Sequence, residues 1–342
     1  MRGSGGQQTT NNTHVAATPA LAGLLMVAQR LARSPSRCFF IGGDAGVGKC
    51  MLAWFIHNES LRADRPYMFA DLAAMPPEQM DLALFGSEGL LVSADGGTVL
   101  LQEITTLPNR LQRKLLQVLQ ERTFETADGG STCTVDVRII VTSNYDLEGA
   151  DREMLREDLR YRITAVQLHV PALRYRRDDV LALATHFLLN ANVGQDRNVG
   201  FAPQAIDALQ AYPWPHNVHE LRQVVETAAA TMMRHGRTTL VASDLNLPAT
   251  LPSAMPRSSR PPPSPVLSFA VGSMPALALT PTGTVAEKAG HGQQAAQDAT
   301  AGPAPTPALD APWSIPQYRA PTIQGVSAER LWAELQRNGA NE

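Results

Sequence analysis

The segment Gly43-Asp44-Ala45-Gly46-Val47-Gly48-Lys49 constrains the fold of this chain more than any other stretch. It fits G-x-x-x-x-G-K, with the apolar run Cys38-Phe39-Phe40-Ile41 before it and a helix-prone run, residues 51–57, after it. A strand ending in such a loop, with a helix starting from it, gathers consecutive backbone N–H groups around one point. Glycines permit the curl, the helix N-terminus adds positive potential, and the lysine neutralises β- and γ-phosphate charge. Gly43, Asp44, Ala45, Gly46, Val47, Gly48 and Lys49 are therefore predicted to cradle the phosphates of a nucleotide. Cys50 follows where the general motif has Ser or Thr, so the hydroxyl that ordinarily ligates Mg²⁺ is missing.

Strand-like and helix-like runs alternate around this loop, the pattern of an α/β fold with a parallel sheet. Thr98-Val99-Leu100-Leu101 and Val137-Arg138-Ile139-Ile140-Val141 read as further strands. Thr18-Pro19 is suited to open a helix with Leu21, Leu24, Leu25, Ala28 and Leu31 on one face. Residues 111–121 are predicted helical, with Leu115, Leu116, Val118 and Leu119 on the buried side. After Pro171 the pattern is helical throughout, over residues 178–190, 203–212 and 218–235. Asn217 and Glu220 have a spacing suited to capping the last of these.

Composition separates the foldable body from its flanks. Fourteen of the 25 prolines fall within residues 249–322, which hold only seven charged residues. Such a stretch cannot bury enough apolar surface to offset its ordering entropy. The organisation predicted is disorder over 1–13, an α/β part over 14–172 and a helical lid over 173–248. A disordered Pro/Ala-rich linker over 249–325 and a short helix over 326–342 follow. With 29 Lys+Arg against 32 Asp+Glu, the net charge of −3 excludes nucleic-acid binding by bulk electrostatics. No apolar run reaches membrane-spanning length, and the polar start lacks a signal-peptide core. Cys38, Cys50 and Cys133 form no CxxC pair, so reduced thiols and a cytoplasmic location are expected.

Further segments stand in order along the body: IGGDAGVGK, FIHNESLRADRPY, LAAMPPEQMDLALFG, ADGGTVLLQEI, LPNRLQRKLLQVLQERTFE, VDVRIIVTSN, LREDLRYRI, PALRYRRDDV and YPWPHNVHELRQVVE. On these residues the chain resembles the central AAA+ ATPase domain of bacterial enhancer-binding proteins, the sigma-54-dependent transcription activators. The resemblance implies a AAA+ P-loop NTPase with a parallel sheet and a C-terminal helical lid. It also implies ATP and Mg²⁺ as ligands, rings of subunits with ATP between them, and remodelling of sigma-54 RNA polymerase. By resemblance, Lys49 holds the phosphates, Glu103 polarises the attacking water and Asn144 senses the γ-phosphate. Arg156 and Arg162 match the pair that reaches into the neighbouring subunit's site, where a guanidinium stays charged and grips phosphate oxygens by two hydrogen bonds. An unrelated P-loop kinase or transporter ATPase would leave LREDLRYRI and YPWPHNVHEL unexplained.

Departures from the family fall on functional positions. Gln102 replaces the Asp that supports the Mg²⁺ shell, to which its neutral oxygen is expected to contribute weakly, and Cys50, counted with His219 among the nucleotide-binding residues, stands where the family commonly has Glu. Asp71 takes the place of an Asn that restrains the catalytic glutamate, and His219 that of the lid arginine that senses nucleotide. Only Ser-Glu-Gly-Leu-Leu-Val-Ser separates Gly86 from Ala94, so the mobile GAFTGA loop that contacts sigma-54 is read as deleted. Residues 327–339 resemble the first helix of a Fis-type helix-turn-helix without its recognition helix. Two readings result. One is an ATP-binding regulator of this family with weakened hydrolysis and impaired sigma-54 contact. The other is a non-enzymatic degenerate subunit that modulates another enhancer-binding protein. The expected partner is a second copy or another enhancer-binding protein; neither direct DNA binding nor membrane association is expected.

Overall fold

A computed structural model of the chain describes residues 18–191 and 199–247. The sequence predictions for 1–13, 249–325 and 326–342 lie outside the described residues.

The Thr18 hydroxyl accepts the Leu21 N–H, and Pro19 then opens helix α1 (Pro19–Ala32). Strand β1 (Cys38–Gly42) runs into the glycine-rich loop, and α2 (Lys49–Asn58) leaves it. The chain continues through β2 (Tyr67–Asp71), α3 (Pro77–Phe85), α4 (Leu90–Ser93), β3 (Thr98–Gln102) and α5 (Asn109–Glu121). A hairpin of β4 (Thr123–Glu125) and β5 (Thr132–Thr134) precedes β6 (Arg138–Ser143), α6 (Glu157–Thr164) and β7 (Gln167–His169). The main sheet has the order β2-β3-β6-β1-β7, and every pairing in it is parallel. Side chains alternate across it. Phe40, Val99, Leu101, Ile139 and Val141 join the core beneath α3, α4, α5 and α6, while Phe39, Ile41, Leu100 and Ile140 join that beneath α1 and α2. With both faces covered, the carboxyl ends of the strands are where a ligand can reach the sheet.

Along α5 the buried line is Leu111, Gln112, Leu115 and Val118. Leu116 and Leu119, expected on that line, are only half-buried. Gln112 can lie on that line because both ends of its amide are paired: Nε2 donates to the Leu107 carbonyl at 2.8 Å and Oε1 accepts the Arg156 N–H at 2.9 Å.

Between α3 and α4 the chain passes through a tight turn, residues 86–89, without a projecting loop. The Gly86 N–H donates to Leu82 O and the Gly89 N–H to Gly86 O, both at 2.9 Å. Leu90 and Leu91 follow at once and are buried. Ser87 ties the turn to the β4–β5 hairpin, its hydroxyl donating to Asp128 Oδ2 at 2.6 Å and its N–H at 3.0 Å.

The lid comprises α7 (Asp178–Ala191), β8 (Gly200–Phe201), α8 (Pro203–Ala211), α9 (Asn217–Arg234) and β9 (Thr239–Leu240). It is not purely helical as expected, because β8 and β9 pair in parallel. Two residues per strand are too few to set up an alternating pattern in the sequence. Trp214 anchors the lid core, fully enclosed, with its indole N–H donating to Leu209 O at 2.9 Å. Among the described residues no helix is long and apolar enough to cross a membrane, and Cys38, Cys50 and Cys133 are free thiols.

Candidate nucleotide site

Sheet register assembles the site. Gly42 at the end of β1 lies beside Ser143 at the end of β6, which sets Asn144 against the glycine-rich loop. On the other side of β6, Gln102 ends β3 in register with Asp71 at the end of β2. Lys49 is buried, and its ammonium donates to Gly43 O at 2.9 Å, to Asp44 O at 3.0 Å and to Asn144 Oδ1. Glu103 is buried too, on a backbone turned to φ 57°, a left-handed conformation unusual for a residue with a side chain. One of its oxygens, Oε2, accepts the Asn144 N–H at 3.3 Å. The other, Oε1, is buried with no hydrogen-bond partner among the described residues.

Burial pushes the Glu103 carboxyl above the usual carboxylate range; the Asn144 N–H and Lys49 pull it back, and the Asp71 charge pushes it further up. Burial likewise draws Lys49 below the ordinary lysine range, opposed first by Glu103. A raised carboxyl pKa favours the fold below the unfolded value, and that contribution is lost as pH rises through the folded value. Replacing Asp71 with Asn removes one of the upward pushes. A carbon-detected NMR titration of Glu103 is therefore expected to give a lower midpoint in Asp71→Asn than in the parent; an unmoved midpoint would show that the two carboxylates do not interact.

The loop is also held from the lid. Gly46 has φ 76°, and a Cβ there would collide with the His216 carbonyl and lie 3.1 Å from the His219 Cβ. The Val218 N–H donates to Gly46 O at 3.0 Å. Asn217, fully buried, donates through Nδ2 to Ala45 O and accepts the Leu173 N–H at Oδ1, both at 2.8 Å. The expectation that Asn217 caps α9 is thus corrected: its amide is consumed in bridging the loop and the lid entrance. Glu220 instead accepts the His216 N–H at 3.0 Å and the Tyr212 hydroxyl at 3.1 Å. His219 is exposed, beside Gly46. Arg174 forms an ion pair with Asp44 at 2.8 Å, and Arg176 donates to Val47 O at 2.8 Å. Sequence reasoning missed Arg174, Arg176 and Asp179; their only signal was the density of charge in RYRRDD where the lid begins.

Arg156 and Arg162 are not brought to this chain's own loop. Arg156 stands at the start of α6, paired with Asp158 at 2.6 Å. Arg162 is exposed, donates to Leu119 O at 3.2 Å, and acts electrostatically on Cys38. Cys38 begins β1, the end of that strand remote from the glycine-rich loop.

The Mg²⁺ that the family implies finds a poor donor set. The Cys50 thiol donates to Gln102 Oε1 at 3.1 Å, and burial raises its pKa, keeping it protonated. A neutral soft thiol and a neutral amide supply none of the anionic oxygen that Mg²⁺ prefers. Asp71 spends Oδ1 on the Ala73 N–H at 3.1 Å. Among the described residues no group of three or more His, Cys, Asp or Glu could hold a metal ion. The residues present do not fit a protein-held Mg²⁺.

The strand order, the phosphate loop after β1 and the helical lid define a AAA+ P-loop NTPase. More particularly, residues 15–169 match the family model of the sigma-54 interaction domain, and residues 174–259 that of the AAA+ ATPase lid domain. This body is a sigma-54 interaction AAA+ domain with its lid, homologous to bacterial enhancer-binding proteins. The regulatory protein AtoC of Escherichia coli is 38% identical over 225 residues, covering 62% of this chain and 49% of AtoC. The transcriptional regulatory protein ZraR of Salmonella typhimurium is 36% identical over 233 residues, 64% of this chain and 52% of ZraR. The chain thus spans about half the length of the curated relatives it matches. Among solved structures, NtrX from Brucella abortus in complex with ADP superimposes with a TM-score of 0.64 at 35% identity, covering 72% of this chain and 58% of that one. NtrX in complex with ATP gives 0.63 at 36% identity, covering 69% and 56%.

Proposed function

We propose that this chain is an ATP-binding AAA+ transcription regulator of the sigma-54 activator family, with weakened hydrolysis and impaired contact to sigma-54. The observation that carries the reading is the convergence of Lys49, Asn144 and Glu103 on the glycine-rich loop at the carboxyl ends of β1, β6 and β3. The complexes of NtrX with ADP and ATP support the same ligand class here. In this reading, the backbone from Gly43 to Gly48 cradles the phosphates and Lys49 exchanges its internal acceptors for phosphate oxygens. Asn144 then faces the γ-phosphate, and Glu103 orients the attacking water. Hydrolysis is weakened because Gln102 puts a neutral amide where a carboxylate would help hold the cation that supports the reacting phosphates. Arg156 and Arg162, away from their own loop, complete the site of a neighbouring subunit. That neighbour is a second copy or another enhancer-binding protein. The cytoplasm is the compartment this role implies, and no DNA contact is proposed.

Steady-state ATP hydrolysis across protein concentration tests the proposal. Turnover per subunit is expected to rise as subunits assemble, and to vanish in Glu103→Gln. In Arg162→Ala, nucleotide affinity is expected to persist while the concentration dependence disappears; an unchanged rate there would rule out the shared site.

The closed turn over residues 86–89 favours a second reading, a non-enzymatic subunit that modulates another family member. Nucleotide affinity without turnover at any concentration would decide for it. Under either reading, the chain alone is expected to form no open complexes above background at a sigma-54 promoter in a reconstituted system. Open complexes would show that sigma-54 can be engaged without the missing loop.

A further inference from the structure

We infer that the nucleotide site of this chain takes its triphosphate without protein-side help from a divalent cation, because the two side chains at the cation position are bonded to each other. The inference rests on the ATP-binding reading above and adds a property to it.

A cation shared between phosphates and protein strengthens binding only when the protein contributes oxygens to its shell, anionic ones most effectively. The first residue after Lys49 and the last residue of β3 are the positions from which a P-loop fold would supply them. Here they are Cys50 and Gln102, 3.1 Å apart, with the thiol donating and the amide oxygen accepting. The pair is neutral, and each member satisfies the other, so neither is left calling for an ion.

The Lys49 ammonium is held by two loop carbonyls and by Asn144 Oδ1, with the Glu103 carboxylate acting on it electrostatically. The three hydrogen-bond acceptors are neutral, and a triphosphate displaces such acceptors more readily than it displaces a salt-bridged carboxylate. Nearby cations are already committed: Arg174 to Asp44 at 2.8 Å, and Arg176 to Asp179 at 3.7 Å. Phosphate charge is therefore met by Lys49 and by the loop N–H groups. Of the two remaining carboxylates, Asp71 spends Oδ1 on the Ala73 N–H and Glu103 spends Oε2 on the Asn144 N–H, which leaves the buried Glu103 Oε1 for the water-orienting role.

The test is a pair of equilibrium titrations of the full chain with a fluorescent ATP analogue, one in excess Mg²⁺ and one in excess EDTA. The two dissociation constants are expected to agree within about threefold. Binding that weakens by about tenfold or more in EDTA would overturn the inference while leaving the ATP-binding reading intact. Absence of binding under both conditions would sink the ATP-binding reading itself, and the inference with it. Gln102→Asp assigns the cause: it is expected to bind about tenfold more tightly with Mg²⁺ than without. A Gln102→Asp variant that folds and remains indifferent to Mg²⁺ would overturn the assignment to this pair. The parent titrations decide the main question whatever the variant does.

Discussion

Replacing Asp179 with alanine is expected to lower the stability of the folded body by about 3–5 kcal/mol, the cost of leaving one member of a buried ion pair unpaired. Asp179 is fully buried and its partner Arg176 nearly so. The carboxylate also accepts the Thr18 N–H at 2.7 Å and the Thr18 hydroxyl at 3.1 Å, which fixes the start of α1. Its removal strands a guanidinium that still donates to Val47 O within the phosphate loop. The loss converts to roughly 10 °C in melting temperature for a body of this size. Thermal and urea unfolding followed by circular dichroism measure it. Asp179→Asn should cost less, because its amide oxygen can still accept the Thr18 N–H. A loss below about 1 kcal/mol in Asp179→Ala would mean that water reaches the arginine and that the pair is not desolvated.

This pair belongs to a larger arrangement in which the lid shapes the loop. Four side chains from residues 174 to 217 reach the phosphate loop or the charge beside it. Arg174 takes the Asp44 carboxylate, Arg176 the Val47 carbonyl, Asn217 the Ala45 carbonyl, and Asp179 neutralises Arg176. Backbone carbonyls of the loop are thereby turned toward protein donors. The N–H groups between them are left for an anion, the arrangement on which a phosphate site depends. A lid movement would break these bonds together, so lid position and the geometry of the loop are linked through named atoms.

Strands β1, β3 and β6 were legible because each is an apolar run flanked by breakers and lies in the sheet interior. So were the long helices, whose apolar residues recur at helical spacing. Strand β2 was not, since Tyr67, Met68 and Phe69 sit half-buried at the sheet edge and carry no clear alternation. The loop was legible from its own glycine and lysine spacing after β1, whereas Glu103 and Asn144, which directly follow β3 and β6, were singled out only through the family resemblance. What escaped were contacts between residues far apart in the chain. Asn217 and Ala45 are 172 positions apart, Arg174 and Asp44 130. No local pattern encodes such pairings. The neutral character of the Cys50–Gln102 position could be read from the two residue types, but their mutual hydrogen bond could not, because it depends on sheet register.

Lys49→Met is expected to separate stability from binding. The lysine ammonium is buried, and burial lowers its pKa, so the charged form is held at a cost in the free protein. Its three acceptors compensate only in part, and a methionine of similar length fills the same space without a charge to desolvate. Thermal stability should therefore fall by only about 1–3 kcal/mol, the cost of leaving those acceptors without their donor. Nucleotide affinity should fall by more than a hundredfold, since a buried charge-assisted contact to phosphate is worth upwards of about 3 kcal/mol. Affinity by calorimetry and stability by thermal unfolding, measured on one preparation, check both halves. Equal affinities for parent and variant would remove Lys49 from the phosphate site and, with it, the main support for ATP as the ligand. A large loss of stability would point instead to a lysine that holds the loop together, binding phosphate only as a secondary consequence. The first result would be decisive for function, because no other cation among the described residues hydrogen-bonds within the loop from its own first helical turn.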